Sequence, residues 1–381
     1  MTAEGPAAPH PSKSPPEPKP NPPAAVASTA ASTPTRTAAM TTSRHRLPVR
    51  TLRGLAAGTA SAALALSLAG CGGDSEAATT TEGAAGKVTV GRLSNGAARQ
   101  TVLDVPEVKS LNAELPAAVR KRGTLVIAVG ALPAGSPPLE YVGGDQKTLT
   151  GSEPDLGRLV AAVLGLRPEV KNFTWENMFV GIDSGKADVA FSNVTDTEER
   201  KKKYEFASYR RDNLAFEVPK KSTWTFGGDY RALAGKTVAV GSGTNQEKIL
   251  LEWQARLAGE GKRLTVKHYQ DSNSTYLALA SGRIDAYFGP NPGVSYHVTQ
   301  SAKTPHATRS AGTFSGAGAR LQGLIAATAK KDSGLAKPLA DAVNHLIDNG
   351  QYARWLAAWN LSDEAVAKSE TNPPGLPLDN S

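Results

Sequence analysis

The chain is poor in the residues that hold metals and build disulfides. Its 381 residues include one cysteine, Cys71, so neither an intramolecular disulfide nor a thiolate metal cluster can form. The six histidines, at 10, 45, 268, 297, 306 and 345, show no metal-ligand spacing. No Gly-x-Ser-x-Gly elbow and no Cys–His pair is present. Each histidine reads as surface or satisfied core, and no metal, cofactor or catalytic residue is expected. The apolar run at 55–68 is too short and too weakly apolar for a comfortable membrane span. A strong charge excess is also missing. The net charge is +8, but residues 1–70 carry seven Lys/Arg and two Asp/Glu; subtracting these from 43 and 35 leaves 36 against 33. The high pI is partly a leader effect, which argues against nucleic-acid binding.

What is present begins with that leader. Arg44, Arg46, Arg50 and Arg53 precede the apolar run, and Leu68-Ala69-Gly70-Cys71 closes it with small residues, as an export signal does. Residues 40–71 resemble a bacterial lipoprotein signal, in which Cys71 becomes the lipidated first residue; the alternative is a lone cysteine after an ordinary signal. Residues 1–39 are Pro-, Ala-, Ser- and Thr-rich and cannot form a core, and Met40 is the expected biological start. Residues 72–117 read as a spacer linker.

From residue 118 the pattern is α/β. The apolar run at 123–130 reads as a strand covered on both faces. Helices are expected at 154–164 and 178–182, and short strands at 171–175 and 188–191. A second unit repeats this order: strand 236–240, loop 241–245, helix 246–257, strand 263–268, helix 274–280, strand 284–288. Ser184-Gly185-Lys186-Ala187-Asp188-Val189 and Ser281-Gly282-Arg283-Ile284-Asp285-Ala286 match in kind, which predicts two lobes built alike. Extended chain at 321–329, helices at 335–349 and 351–359, and a polar, Pro-containing tail complete the chain.

Residues 188–209 are the centre of this arrangement. Thr195-x-x-Glu198 and Asp196-x-x-Glu199 fit a helix-start box. Arg200 would then sit in a first turn, where a cation opposes the helix dipole. Two readings stand open: an anion held jointly by Arg200 and the free amides of the helix start, or a solvated basic face continued by Lys201, Lys202 and Lys203.

Taken together, these residues resemble the extracellular solute-binding proteins of ABC importers, amino-acid-binding (family 3) type. The landmarks are the 123–130 strand, Ser136-Pro137-Pro138-Leu139-Glu140-Tyr141, Gly151-x-x-x-Asp155-Leu156 and Trp175. They continue with the two Ser-Gly-basic-Asp segments, Thr197-Glu198-Glu199-Arg200, Gly243-Thr244 and Asn349-Gly350-Gln351-Tyr352. They run in family order over about 118–361.

The resemblance implies a type II two-lobe, periplasmic-binding-protein-like clamp. Each lobe is a parallel or mixed sheet flanked by helices, with two hinge crossings. Lobe 1 would span 118–213 and 322–361, lobe 2 would span 214–321, and 362–381 would be a disordered tail. The lobes close on a small solute. The monomeric protein, lipid-anchored outside the cell membrane, then passes the solute to an ABC permease with its ATPase.

The resemblance also assigns ligand contacts. Arg200 and Thr195 grip a carboxylate, and the Asn193 carbonyl meets an ammonium. Trp175 packs on the ligand, a position equally compatible with a core tryptophan. Thr244 and Asn245 meet the carboxylate from lobe 2. Two positions depart from the family pattern. Ser136 replaces an aromatic wall, and Pro290 replaces the acid that takes the α-ammonium, with Asn291 or Asp196 as candidate substitutes. Two alternative functions share the fold: a dehydratase using Glu140 or Asp196 as its acid, and a sensing lipoprotein without transport.

Overall fold

The computed structural model describes residues 86–379. Residues 1–39, the signal at 40–71 with Cys71, and the start of the expected linker lie outside these residues.

The described chain opens with a hairpin. β1 (Lys87–Val90) pairs antiparallel with β2 (Thr101–Asp104). Two short helices follow, α1 (Lys109–Glu114) and α2 (Ala117–Arg122), the second stopped by Gly123 at φ +67°, a conformation that glycine adopts without steric cost. The expectation of a linker over 72–117 therefore fails from residue 86 onward. Val90, Leu103, Val105 and Leu115 are buried in the first core. Their wide spacing among Gly, Ala and Thr hides them from any periodicity test.

β3 (Thr124–Leu132) is the apolar strand expected, with five consecutive buried positions from Leu125 to Val129. β4 (Tyr141–Val142) and β5 (Leu149–Thr150) make the small hairpin. α3 (Ser152–Val163) buries Leu156, Leu159, Val160 and Val163 on one face. β6 (Arg167–Thr174) runs parallel to β3. α4 (Trp175–Asp183) is capped by the Thr174 hydroxyl, which accepts from the Asn177 amide. β7 (Val189–Ala190) then pairs parallel to β3.

β8 (Tyr204–Pro219) joins the two halves. Its first part pairs antiparallel with β13 (Gly323–Lys330), and its second with β11 (Ala286–Pro290) and β12 (Thr308–Ser315). Tyr209 lies in the first core; Leu214, Phe216 and Val218 lie in the second. β9 (Thr237–Gly241) leads into α5 (Asn245–Gly259), β10 (Thr265–Tyr269) and α6 (Ser272–Ala280), and then to β11. α7 (Asn291–Ser301) and β12 were not expected from the sequence. α8 (Ala336–Asp348) and α9 (Gln351–Ala358) close the first core with Leu339, Val343, Leu346, Trp355 and Leu356. The strand order is β10-β9-β11-β8-β13-β7-β3-β6, with β12 also on β8.

The repeated Ser-Gly-basic-apolar-Asp segments do the same job twice. Gly185 and Gly282 turn the chain at φ +72° and +71°. Asp188 then accepts the Val126 amide at 2.8 Å, and Asp285 accepts the Thr237 amide at 2.7 Å. In each half a carboxylate after the turn locks onto the neighbouring parallel strand.

The expected disordered tail is folded over residues 362–378. Glu364 is buried, the Ser208 amide donates to Glu370, and Asn372 exchanges hydrogen bonds with Phe206. The Leu376 amide donates to Asp196, and the Leu376 carbonyl accepts from Glu198. Lys248 on α5 then binds the carbonyls of Pro377 and Leu378. Leu376 is fully buried in the second core, although most of this strap lies on the first half. Backbone pairing, which a polar composition does not reveal, holds it in place.

Candidate functional site

The helix expected after Thr195 is a single 3-10 turn, Arg200–Lys202. Thr195 does not cap it. Thr195 forms a bridge with Ile325 of β13, and its hydroxyl donates to Asp212 Oδ2 at 2.7 Å. Thr197 is the residue whose hydroxyl accepts the Arg200 amide, at 3.0 Å. The amides expected to share an anion with Arg200 are engaged within the protein: Glu198 donates to the Leu376 carbonyl, Arg200 to the Thr197 hydroxyl and Lys201 to the Thr197 carbonyl. A tertiary partner won over the local capping box.

Arg200 itself sits where the two halves meet. Nη1 donates to the Thr195 carbonyl at 2.8 Å, and Nη2 donates to the Gly243 carbonyl at 3.2 Å. Its guanidinium lies over Trp175 and Phe179, 5.4 and 5.5 Å from the ring centres. Burial pulls its pKa down to about 10, opposed by the charges of Asp212 and Asp196; it stays cationic at neutral pH. Among the described residues two of its five N–H bonds are engaged, which leaves part of the planar fork for a ligand. The solvated-basic-face reading fails for Arg200 but holds for Lys202, whose partner is the exposed Glu199.

Trp175 opens α4 and donates Nε1 to the same Gly243 carbonyl at 3.2 Å. Gly243 has φ +72°, and a Cβ there would lie 3.3 Å from that nitrogen. Glycine thus allows both the turn and the close approach. Thr244 caps α5, its hydroxyl accepting the Glu247 amide at 3.2 Å. Asn245 Nδ2 donates to Asp212 Oδ2 at 3.0 Å and to Gly316 O at 2.9 Å. Trp175, Thr195 and Arg200 from one half thus meet Thr244 and Asn245 from the other. A cavity of about 570 Å³ opens beside them, lined by Thr197, Arg200, Thr244, Asn245, Lys248 and Leu376. The larger cavity, about 1200 Å³, lies elsewhere, between the loop around Ser136 and helices α6 and α7.

Asn193, at φ +50°, is turned toward a different group. Its amide donates to Glu153 at 2.9 Å, and its Oδ1 accepts from Arg210. Arg210 is 1 % exposed and pairs with Glu153 and Glu364. Burial opposes its charge, but Glu364 and Glu153 together hold the guanidinium above its ordinary range. Sequence reasoning missed Arg210, Glu153, Glu364 and Asp212. The signal was available: Arg210-Arg211-Asp212 interrupts an otherwise apolar strand, and charges inside a buried strand need partners.

Both candidate substitutes for the acid that Pro290 replaces have partners within the protein. Asp196 is buried beside Lys201 and against Gly375 of the strap. Asn291 Oδ1 accepts from Ser295, and Asn291 also bears on Glu364. Glu140, offered above as an acid, is fully enclosed. Its Oε1 accepts from Ser192 at 3.2 Å, and burial, then Glu153, push its pKa well up. Among the described residues no group of three His, Cys, Asp or Glu could hold a metal ion, and no helix is long and apolar enough to cross a membrane.

The arrangement is a cation on one half facing a helix start on the other, at a strand crossing between two α/β cores. A model of the bacterial extracellular solute-binding proteins, family 3, matches residues 127–362. The chain belongs to this family. It is 36% identical over 169 residues to the L-cystine-binding protein TcyJ of Escherichia coli (strain K12); the match covers 44% of this chain and 59% of that protein. The chain therefore spans somewhat under two thirds of that relative's length. It is 27% identical over 275 residues to the arginine-binding protein ArgT of Corynebacterium glutamicum, covering 71% of this chain and 84% of the relative. Among solved structures, an ancestral arginine-binding protein bound to arginine matches at 26% identity and a TM-score of 0.54. That match covers 62% of this chain and 98% of the other. The type II clamp architecture inferred from the landmarks is thereby shown. The family model and these relatives describe binding proteins, not enzymes.

Proposed function

We propose that this family 3 protein captures a small carboxylate-bearing solute, an amino acid or a derivative, between its two halves and delivers it to an ABC permease and its ATPase. It acts as a monomer at the outer face of the cell membrane, held there by a lipid on Cys71. The observation that carries the reading is Arg200. Its cationic fork is held at the junction by Thr195 and Gly243, faces the capped start of α5 and is partly unspent. The relatives named for arginine and cystine supply the first solutes to try.

The test is calorimetric titration of the purified protein with L-arginine, L-cystine and other amino acids, repeated on Arg200→Ala. Removing one partner of a buried charge pair costs about 2–5 kcal/mol, roughly 30-fold to several-thousand-fold in Kd. A bound amino acid whose affinity survives Arg200→Ala within threefold would sink the assignment of the carboxylate site. Labelled palmitate incorporated by the wild type and not by Cys71→Ser tests the anchor. Turnover of a bound solute would replace the importer reading with the dehydratase one.

A further inference from the structure

Asp212 is a second charge at the junction. It sits on β8 where the strand passes from the first core to the second, and it is 1 % exposed. Its Oδ2 accepts from Thr195 of one half and from Asn245 of the other. Gly316, on the return crossing, leaves room for it. A Cβ there would fall 1.6 Å from Oδ2. The end of the neighbouring strand supplies no charge at this place, because Pro290 pairs with Leu214, two residues along β8.

The ion pairs around it are settled without it. Arg210 is taken by Glu153 and Glu364, and Lys201 by Asp196 and Glu198. Among the described residues Asp212 has two neutral donors and no ion-pair partner. A carboxylate has about four acceptor sites, and an ionised one is costly to bury unless a cation compensates it. Burial accordingly raises its pKa, against the pull of Thr195, Arg210, Asn245 and Arg200. Arg200 hangs from the carbonyl of the same Thr195 whose hydroxyl reaches Asp212. A cation and an anion thus share one residue as their common support. The two charges are close enough for each to favour the ionised form of the other.

We propose that Asp212 receives the ammonium of the solute, with Arg200 at the carboxylate, so that the junction selects molecules carrying both groups on one carbon. The Thr195 hydroxyl donates to Asp212 and keeps lone pairs to accept from the same ammonium. This inference rests on the solute-capture reading above, and its test separates the two.

Two probe pairs differ only in the α-ammonium: L-arginine with 5-guanidinopentanoic acid, and L-cystine with 3,3′-dithiodipropionic acid. Calorimetry on the wild type should show the ammonium-bearing member of the bound pair favoured by about a hundredfold. Asp212→Asn keeps the shape and removes the charge. It should cut that preference to about tenfold or less, by weakening the amino acid and leaving the desamino partner near its wild-type affinity. Asp212→Ser gives the same readout should the amide variant not fold. If both members weaken equally, Asp212 only positions Thr195 and Asn245, and the inference falls. If the preference persists in the variants, it also falls, while the solute-capture reading stands. If no amino acid binds the wild type, the solute-capture reading fails and takes this inference with it.

Discussion

Replacing Arg210 by methionine should be among the most damaging single changes in the first half, and the damage should depend on pH. The guanidinium is 1 % exposed; Nη2 donates to Glu153 at 2.9 Å and to Asn193, and Nη1 pairs with Glu364. Methionine fills much of the volume but leaves two carboxylates, 0% and 3% exposed, without a counter-charge. Breaking a buried pair from one side costs about 3–5 kcal/mol. For a folded part of this size that is roughly 5–8 °C in midpoint. Burial already raises the pKa of Glu364 against the pull of Arg210; in the variant that pull is gone, so Glu364 holds its proton more tightly folded than unfolded and stability rises as pH falls. Thermal unfolding at pH 7.5 and pH 5 should therefore show a larger deficit at the higher pH. Adding Glu153→Gln and Glu364→Gln to Arg210→Met should restore most of the loss, since a polar or apolar replacement of a whole buried ionic group is often close to neutral. A deficit under about 1 kcal/mol, or one equal at both pH values, would refute the account of Arg210 as the counter-charge of two buried acids.

Two further predictions concern the strap and its neighbours. Burial pushes the pKa of Asp196 up to about 7, with Lys201 pulling the other way. The folded protein therefore holds a proton that the unfolded chain releases near pH 4, so this residue makes stability fall as pH rises from about 4 to 7, by at most about 1.4 kcal/mol per unit. Urea midpoints across that window should decline in the wild type and flatten in Asp196→Asn. Leu376 is fully buried in the second core, and Leu376→Ala should cost about 2–5 kcal/mol in urea unfolding; a cost near zero would mean that the strap is only laid on the surface.

The regular elements were legible because local chemistry and tertiary structure agree in them. The apolar run of β3, the apolar periodicity of α3 and α8 and the loop-to-helix start at Thr244 are each written in neighbouring residues. The twin Ser-Gly-basic-Asp segments even disclosed the duplication, since each aspartate secures a strand in its own half. Arg200 and Trp175 both donate to the Gly243 carbonyl, next to Thr244 and Asn245 at the start of α5. The failures share one cause, a partner distant in sequence. Thr195 looks like a cap but is claimed by Asp212. The Asn193 amide and side chain belong to the buried ionic group with Glu153 and Arg210, a role beside the carbonyl contact that the resemblance assigned. The strap has no periodicity because its inward residues, Glu364, Ser369, Pro373, Gly375 and Leu376, are irregularly spaced, while its backbone makes many of the remaining contacts.

The strap also fixes the order in which the protein can become whole. Leu376 completes a core whose other members lie mainly between residues 214 and 317, and Lys248 waits for carbonyls at 377 and 378. A chain emerging from its N-terminus must reach residue 376 before the second half can close its core. Such late, non-local contacts slow folding and keep the nascent chain open. That delay would suit the passage of an unfolded chain through a membrane, which the proposed location requires. It also predicts that anything appended to the C-terminus, a tag included, will act on the last step of folding, not on a free end.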